Sequence, residues 1–251
     1  MSQIAESVAA HPVVSREEWI AARKALLARE KELTRQYDAV CAARRALPWV
    51  RVEKEYEFEG PDGAETLAEL FGGNSQLIVY HFMYGPGWKE GCSGCSFISD
   101  HIDGANLHLK HHDVTLLAVS RAPFAEFQAF KKRMGWRFKW MSSHGSDFNF
   151  DYDVSFTKES LARGPAFFNF APKTTDNEGE AHGVSVFYKD ESGAVYHTYS
   201  TYARGGDILI GAHNFLDMTP KGRNEDGIMS WMRHHDRYET EPAEACCSGG
   251  G

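Results

Sequence analysis

The chain has 251 residues, is 42% hydrophobic and carries a formal charge of −8. That is length enough for a full core, and the acidic balance excludes unspecific binding to nucleic acid or to an anionic membrane, both of which need a basic face. Met1 to His11 has no basic start leading into an apolar core, and no run reaches about 18 uninterrupted apolar residues, so neither a signal peptide nor a membrane span is expected and the expected compartment is cytoplasmic.

The first predicted element is a long amphipathic helix. Ser15-Arg16-Glu17-Glu18 is a capping box, and the chain from there to about Arg45 is rich in Ala, Leu, Arg, Lys and Glu with no Gly or Pro. Trp19, Ile20, Leu26, Leu27, Leu33, Tyr37 and Val40 approximate a helical stripe, which must pack on the main domain or on a second copy of the chain; a homo-oligomer through this helix is one of the two outcomes. Pro48 closes this region. Val50 to Phe58 alternates as a strand, Gly60-Pro61-Asp62-Gly63 turns, and Ala64 to Phe71 reads as a short helix closed by Gly72-Gly73.

Leu77 to Tyr84 is a buried strand, followed by a Gly85 to Gly91 loop and a helix from the cysteines to about Leu109. Val114 to Ser120 is a second buried strand, Pro123 to Met134 a helix opening on proline, and Arg137 to Ser142 a third short strand. Strands alternating with helices at this spacing predict a parallel α/β core. Val184 to Tyr188 and Val195 to Tyr202 form a hairpin that completes a mixed sheet, and Gly205 to Asp217 supplies a closing helix. Residues 1–47 are thus a helical extension, 48–238 the main domain, and 239–251 a flexible tail carrying Cys246 and Cys247.

Chemistry concentrates at Cys92-Ser93-Gly94-Cys95. Five cysteines, an odd number, do not make a secreted disulfide framework, so in a reducing compartment this C-x-x-C reads as catalytic or metal-binding. At a helix start, unpaired N–H groups favour a thiolate on Cys92, and one helical turn brings Cys95 within reach of a mixed disulfide on it. Cys92 is therefore the expected nucleophile and Cys95 the resolving thiol, with no organic cofactor required and a small-molecule or protein thiol or disulfide as partner. Trp88 and Lys89 just before the motif, and Arg121 and His144 after the second and third strands, fall at the carboxyl ends of parallel strands, where ligands gather in open α/β sheets; they are the expected substrate-binding rim. His101, His108 and His112 read as a solvated helix face.

A strand, C-x-x-C at a helix start, β-α-β, a hairpin and a final helix make the element order of a thioredoxin fold. Over most of its length the chain resembles the thioredoxin-like family catalogued as domain of unknown function 899. The strings that carry the resemblance are Glu90-Gly91-Cys92-Ser93-Gly94-Cys95-Ser96-Phe97, Asp113 to Pro123, Met134-Gly135-Trp136-Arg137-Phe138, Gly145-Ser146-Asp147-Phe148-Asn149, Val186-Phe187-Tyr188-Lys189-Asp190 and Tyr196 to Gly205. The leading strand, turn and Leu-Phe-Gly-Gly segment look like the extension of the peroxiredoxin-like branch. The resemblance implies a thioredoxin-like α/β fold, a mixed sheet flanked by helices behind a long N-terminal helix, and a predicted dithiol-disulfide oxidoreductase activity. Thioredoxins carry a cis proline just before the hairpin strand facing the cysteines; here Ala181-His182-Gly183 stands in that place, which puts capture of protein substrates by strand pairing in doubt. Peroxiredoxins carry Thr or Ser three residues before the peroxidatic cysteine; Lys89 precedes Cys92 at that distance, which disfavours an ordinary peroxidase.

His182 supports a second reading. Sco-type copper-assembly proteins bind copper through two thiols at the helix start and a histidine before the hairpin, with a spacing one residue longer than here. By that resemblance Cys92, Cys95 and His182 would make a noncatalytic Cu(I) or zinc binder.

Overall fold

The structure, a computed structural model, describes residues 11–164, 166–172 and 178–239, so the Cys246 and Cys247 tail lies outside the described residues. The chain divides into two compact units, one holding the N-terminal helix and Phe215–Asn224, the other Trp49–Asn214 and the chain from Glu225 onward.

In the first unit, α1 (Arg16–Arg45) runs for 30 residues, and its start is fixed reciprocally: Ser15 Oγ accepts from the Glu18 N–H while the Glu18 carboxylate accepts from the Ser15 N–H. Glu17 and Glu18 in the first turn and Arg44 and Arg45 in the last complement the helix dipole. None of its residues is buried, and Trp19, Leu26, Leu33, Tyr37 and Val40 are all exposed.

The second unit is built on an eight-stranded sheet. Its strands are β1 (Val50–Arg51), β2 (Glu57–Gly60), β3 (Gly63–Thr66), β4 (Gln76–His81), β5 (Val114–Ser120), β6 (Trp140–Ser142), β11 (Gly183–Lys189) and β12 (Val195–Tyr202), in the order β1-β12-β11-β4-β5-β6-β2-β3. Outside that sheet lie β7 (Ser155–Phe156) paired with β10 (Gly179–Glu180), and β8 (Phe167–Phe168) paired with β9 (Ala171–Pro172). Helices α2 (Ser93–Ser99) and α3 (Ile102–Leu109) join β4 to β5, α4 (Phe124–Arg133) joins β5 to β6, and the short α5 (Phe148–Asp151), α6 (Lys158–Ala162) and α7 (Gly211–Leu216) follow. β4, β5 and β6 are parallel, whereas β11 runs antiparallel to β4 and β12 antiparallel to β11. A parallel pair joined through the C-x-x-C helices and completed by an antiparallel hairpin on its other side is the thioredoxin-like arrangement.

Alternation along β4 sends its side chains to two cores. Tyr80, with Phe82 just beyond the strand end, joins Phe127, Phe130, Trp136 and Trp140 beneath the helices, while Leu77 and Val79 join Phe58, Leu117, Val119, Phe148 and Phe187 on the other face. Each such side chain contributes about 1.5–3 kcal/mol on burial. Among the described residues no helix is long and apolar enough to cross a membrane.

Four expectations need correction. Val50 to Phe58 is not one strand: β1 pairs with β12 at one edge of the sheet and β2 with β6 near the other. The segment after the turn is not a helix, because Gly60 and Gly63 close a two-residue hairpin loop that pairs Gly63–Thr66 with β2, leaving only Glu69–Phe71 as a 3-10 turn. The helix after the cysteines breaks at Asp100, whose carboxylate accepts from the Trp136 indole N–H at 2.8 Å and from His235 at 2.7 Å. The closing helix is a 3-10 stretch, Ala203–Leu209, before α7.

Candidate active site

Gly183 of β11 pairs with His81 of β4, so residues 179–182 and the loop beginning at Phe82 leave the sheet at the same end. Cys92 stands at the N-cap of α2 in extended backbone, its N–H donating to Met83 O at 3.3 Å and its carbonyl accepting from both the N–H and the hydroxyl of Ser96 at 2.9 Å. Met83 N–H in turn donates to Cys95 Sγ at 3.5 Å. The last residues of the β4 exit thus pin both ends of the C-x-x-C turn.

The thiols are unequal. Cys92 is half-buried and Cys95 is 2% exposed. A hydrogen bond from the Cys95 thiol, joined by the N–H groups of Cys95 and Gly94, lowers the Cys92 pKa to about 7 against the opposing effect of burial. Burial first, then the hydrogen bond to Cys92 and its charge, push Cys95 well above an ordinary thiol. As the pH rises, Cys92 therefore gives up its proton before Cys95 does. The Tyr80 hydroxyl is fully buried beside Cys95 and makes no hydrogen bond of normal geometry.

A C-terminal strap closes over this turn. Glu90 pairs with Arg133 and with Arg237, whose Nη1 lies 2.8 Å from Oε2. Arg133 Nη2 donates to His234 Nδ1 at 2.6 Å, which leaves the proton on Nε2, and Nε2 donates to Gly91 O at 2.8 Å. Asp236 approaches Arg133 at 3.2 Å. Trp231 packs edge-on against Phe97, with ring centroids 5.5 Å apart. The Met232 and Met229 methyl carbons lie 3.6 and 3.7 Å from where a Cβ on Gly94 would stand, with Cys92 Sγ at 3.7 Å, so two thioethers roof the spacer between the thiols.

The expected rim residues are only partly gathered. Gly85 brings Trp88 and Arg121 to one place: a Cβ there would lie 2.9 Å from Trp88 Nε1 and 3.3 Å from Glu180 Oε1, and Arg121 Nε donates to the same Glu180 oxygen at 2.8 Å. Glu180 was not foreseen. Pairing of β10 with β7 leaves the Glu180 side chain 2% exposed, held by Arg121 and by the Ser155 hydroxyl. Burial raises its pKa against the pull of both partners. Lys89 and His144 are exposed; the His144 N–H donates to Ser142 Oγ at 3.1 Å, at the same sheet end. His101 departs from a solvated helix face: Nδ1 donates to Phe97 O at 2.8 Å and Nε2 accepts from Ala212 N–H at 3.2 Å.

His182 Nε2 bonds Ala203 O at 3.1 Å, and burial lowers its pKa. Among the described residues no group of three or more His, Cys, Asp or Glu side chains is placed to hold a metal ion.

The family model described as "Bacterial protein of unknown function (DUF899)" matches residues 8–238. No curated protein matches the chain. Among solved structures, a peroxiredoxin Q mutant from Xanthomonas campestris is similar at 13% identity over 63% of this chain and 90% of its own, with TM-score 0.42. Peroxidoxin BcpB from Mycobacterium tuberculosis is similar at 10% identity over 66% and 94%, with TM-score 0.39. A putative thiol:disulfide interchange protein DsbE from Chlorobium tepidum is similar at 13% identity over 65% and 93%, with TM-score 0.39. At TM-scores this low it is the sheet topology, not the likeness, that fixes the fold.

Proposed function

From the premise that the chain belongs to the bacterial DUF899 family, we propose that it is a dithiol-disulfide oxidoreductase with Cys92 as nucleophile and Cys95 as resolving thiol. The observation that carries the reading is the inequality of the two thiols: a half-buried Cys92 at the N-cap of α2 and a buried Cys95 whose Sγ accepts from Met83 N–H.

The Cys92 thiolate attacks one sulfur of a substrate disulfide, forming a Cys92–S–S–R bond and releasing the other half as a thiolate that takes up a proton. Cys95 then gives up its proton and attacks Cys92 Sγ. The mixed disulfide breaks, the second thiol leaves, and a Cys92–Cys95 disulfide remains. Two electrons and two protons have passed to the substrate, and an external thiol reductant restores the dithiol. The stored proton on Cys95 matters: a thiolate there before attack would repel the Cys92 charge. A reducing cytosol suits this chemistry, with Cys41, Cys92 and Cys95 all present as thiols.

Cys92→Ser should abolish reduction of a test disulfide, and Cys95→Ser should accumulate the mixed disulfide, visible as a mass adduct on Cys92. Unchanged turnover by Cys92→Ser would sink the reading.

A further inference from the structure

The dithiol chemistry makes no use of α1, and that helix carries a pattern of its own. Trp19, Leu26, Leu33 and Val40 recur at strict seven-residue spacing over four heptads, the repeat that winds two helices around each other. Leu27 and Tyr37 widen the same face. The exposure of these side chains runs from 39% at Leu27 to 66% at Leu33, and no residue of the helix is buried. Covering this face on two copies removes roughly 1,200 Å² from solvent, the lower end for a stable protein–protein interface.

A second row, Arg23, Glu30, Tyr37 and Arg44, runs at the same spacing four residues on, and it decides the orientation. In a parallel pair each layer sets a residue against its own copy, so Arg23, Glu30 and Arg44 would make three layers of like charge. In an antiparallel pair the two rows face each other: Trp19 lies opposite the partner's Arg44, Leu26 opposite the partner's Tyr37, Leu33 opposite the partner's Glu30 and Val40 opposite the partner's Arg23. No like charges meet. Arg44 gains an indole face, and Arg23 and Glu30 keep each other within one helix, Nη2 to Oε2 at 2.8 Å. The ends agree with this. Glu17 and Glu18 of the first turn come beside the partner's Arg44 and Arg45 in the last, and the two helix dipoles oppose. Arg16 is held on its own helix, 4.9 Å from the Trp19 ring centroid.

We propose that α1 is the interface of a homodimer, an antiparallel two-stranded coiled coil between two copies of this chain about a twofold axis passing between Lys31 and Glu32. The occupant of the apolar face is thus the same face of a second copy. The proposal is independent of the oxidoreductase reading and stands or falls without it.

The test is sedimentation equilibrium on the reduced full chain at micromolar concentration, where the mass should be twice that of one chain. Leu26→Glu combined with Leu33→Glu should raise the dimer dissociation constant at least about 100-fold while the urea midpoint of the main domain holds. A chain that stays monomeric would overturn the proposal, its helix face then being bare or covered by its own chain, and so would a dimer that the double variant leaves intact. Orientation is read by crosslinking. Leu26→Cys combined with Tyr37→Cys, oxidised and mapped by peptide mass spectrometry, should yield a disulfide joining position 26 of one copy to position 37 of the other, and neither substitution alone should link its own position to itself. Links from 26 to 26 and from 37 to 37 would overturn the antiparallel arrangement.

Discussion

Tyr80 and His81 are neighbours on β4 and face opposite ways, and the two faces treat buried polar groups in opposite fashion. Under the helices, Tyr80 lies beside Cys95 with no hydrogen bond of normal geometry, next to the sulfur that the proposed reaction requires to release its proton. On the other face, His81 Nε2 begins a chain through Ser185 Oγ and Ser200 Oγ to His197 Nε2, with links of 2.8, 2.8 and 2.7 Å, walled by Phe148 and Tyr152. Burial, with a smaller contribution from His197, lowers the His81 pKa to about 3. One face is arranged so that charge can appear in the folded protein, and the other so that it cannot. The difference separates a site from a scaffold better than burial does, since both faces are equally dry.

Acid breaks this comparison most sharply. The folded protein refuses a proton that unfolded His81 accepts below its ordinary value of 6.5, so this contribution to stability is complete above pH 6.5 and is lost as the pH falls toward 3. The expected loss is about 1.4 kcal/mol per pH unit at the steepest. Urea midpoints measured from pH 7 to 4 in the parent and in His81→Leu should diverge, the variant losing the histidine part of the slope. Parallel curves would remove His81 from the account. His197, His182 and His234, whose pKa values are also lowered by burial, act in the same direction.

On the dithiol face the corresponding readout is the thiolate. The rate of Cys92 alkylation should rise with a midpoint near pH 7, and Cys95→Ala, by removing the strongest donor, should move that midpoint upward toward the ordinary thiol value. An unmoved midpoint would mean that the backbone N–H groups alone set it.

The smallest effect is the most pointed, because it concerns adjacent residues. Tyr80→Phe deletes a buried hydroxyl lacking a well-formed bond and should stabilise the fold by roughly 1 kcal/mol, whereas His81→Leu strands Ser185 and should destabilise it at pH 7 by about 1–3 kcal/mol. Denaturation midpoints of the two variants that shift the same way would erase the distinction between the faces.

Much of the scaffold can be read in the residues. The apolar runs of β4 and β5, the β11–β12 hairpin, the Ser15 capping box and the placing of Cys92 at a helix start all follow from local pattern. What cannot be read depends on partners distant in the chain. Glu180 looks solvated until β7 covers it, and His234 reaches Gly91 across 143 residues. The two short strands cut from Val50 to Phe58 part company because their pairing partners, β12 and β6, lie on opposite sides of the sheet centre. His81 did leave a trace, a histidine closing a largely apolar strand, with Ser185 on the neighbouring strand as its partner. Reading it required the β4–β11 register, which sets Ser185 opposite Val79.

Gly94 has a further consequence, for redesign. Its backbone is not in the left-handed region, and the atoms around a prospective Cβ stand at ordinary contact distance, so alanine fits there without repacking. The spacer between the thiols is therefore open to sequence change, and if the two thiols cycle as proposed, the balance between dithiol and disulfide can be tuned at this one position while both cysteines, the strap and the sheet stay as they are.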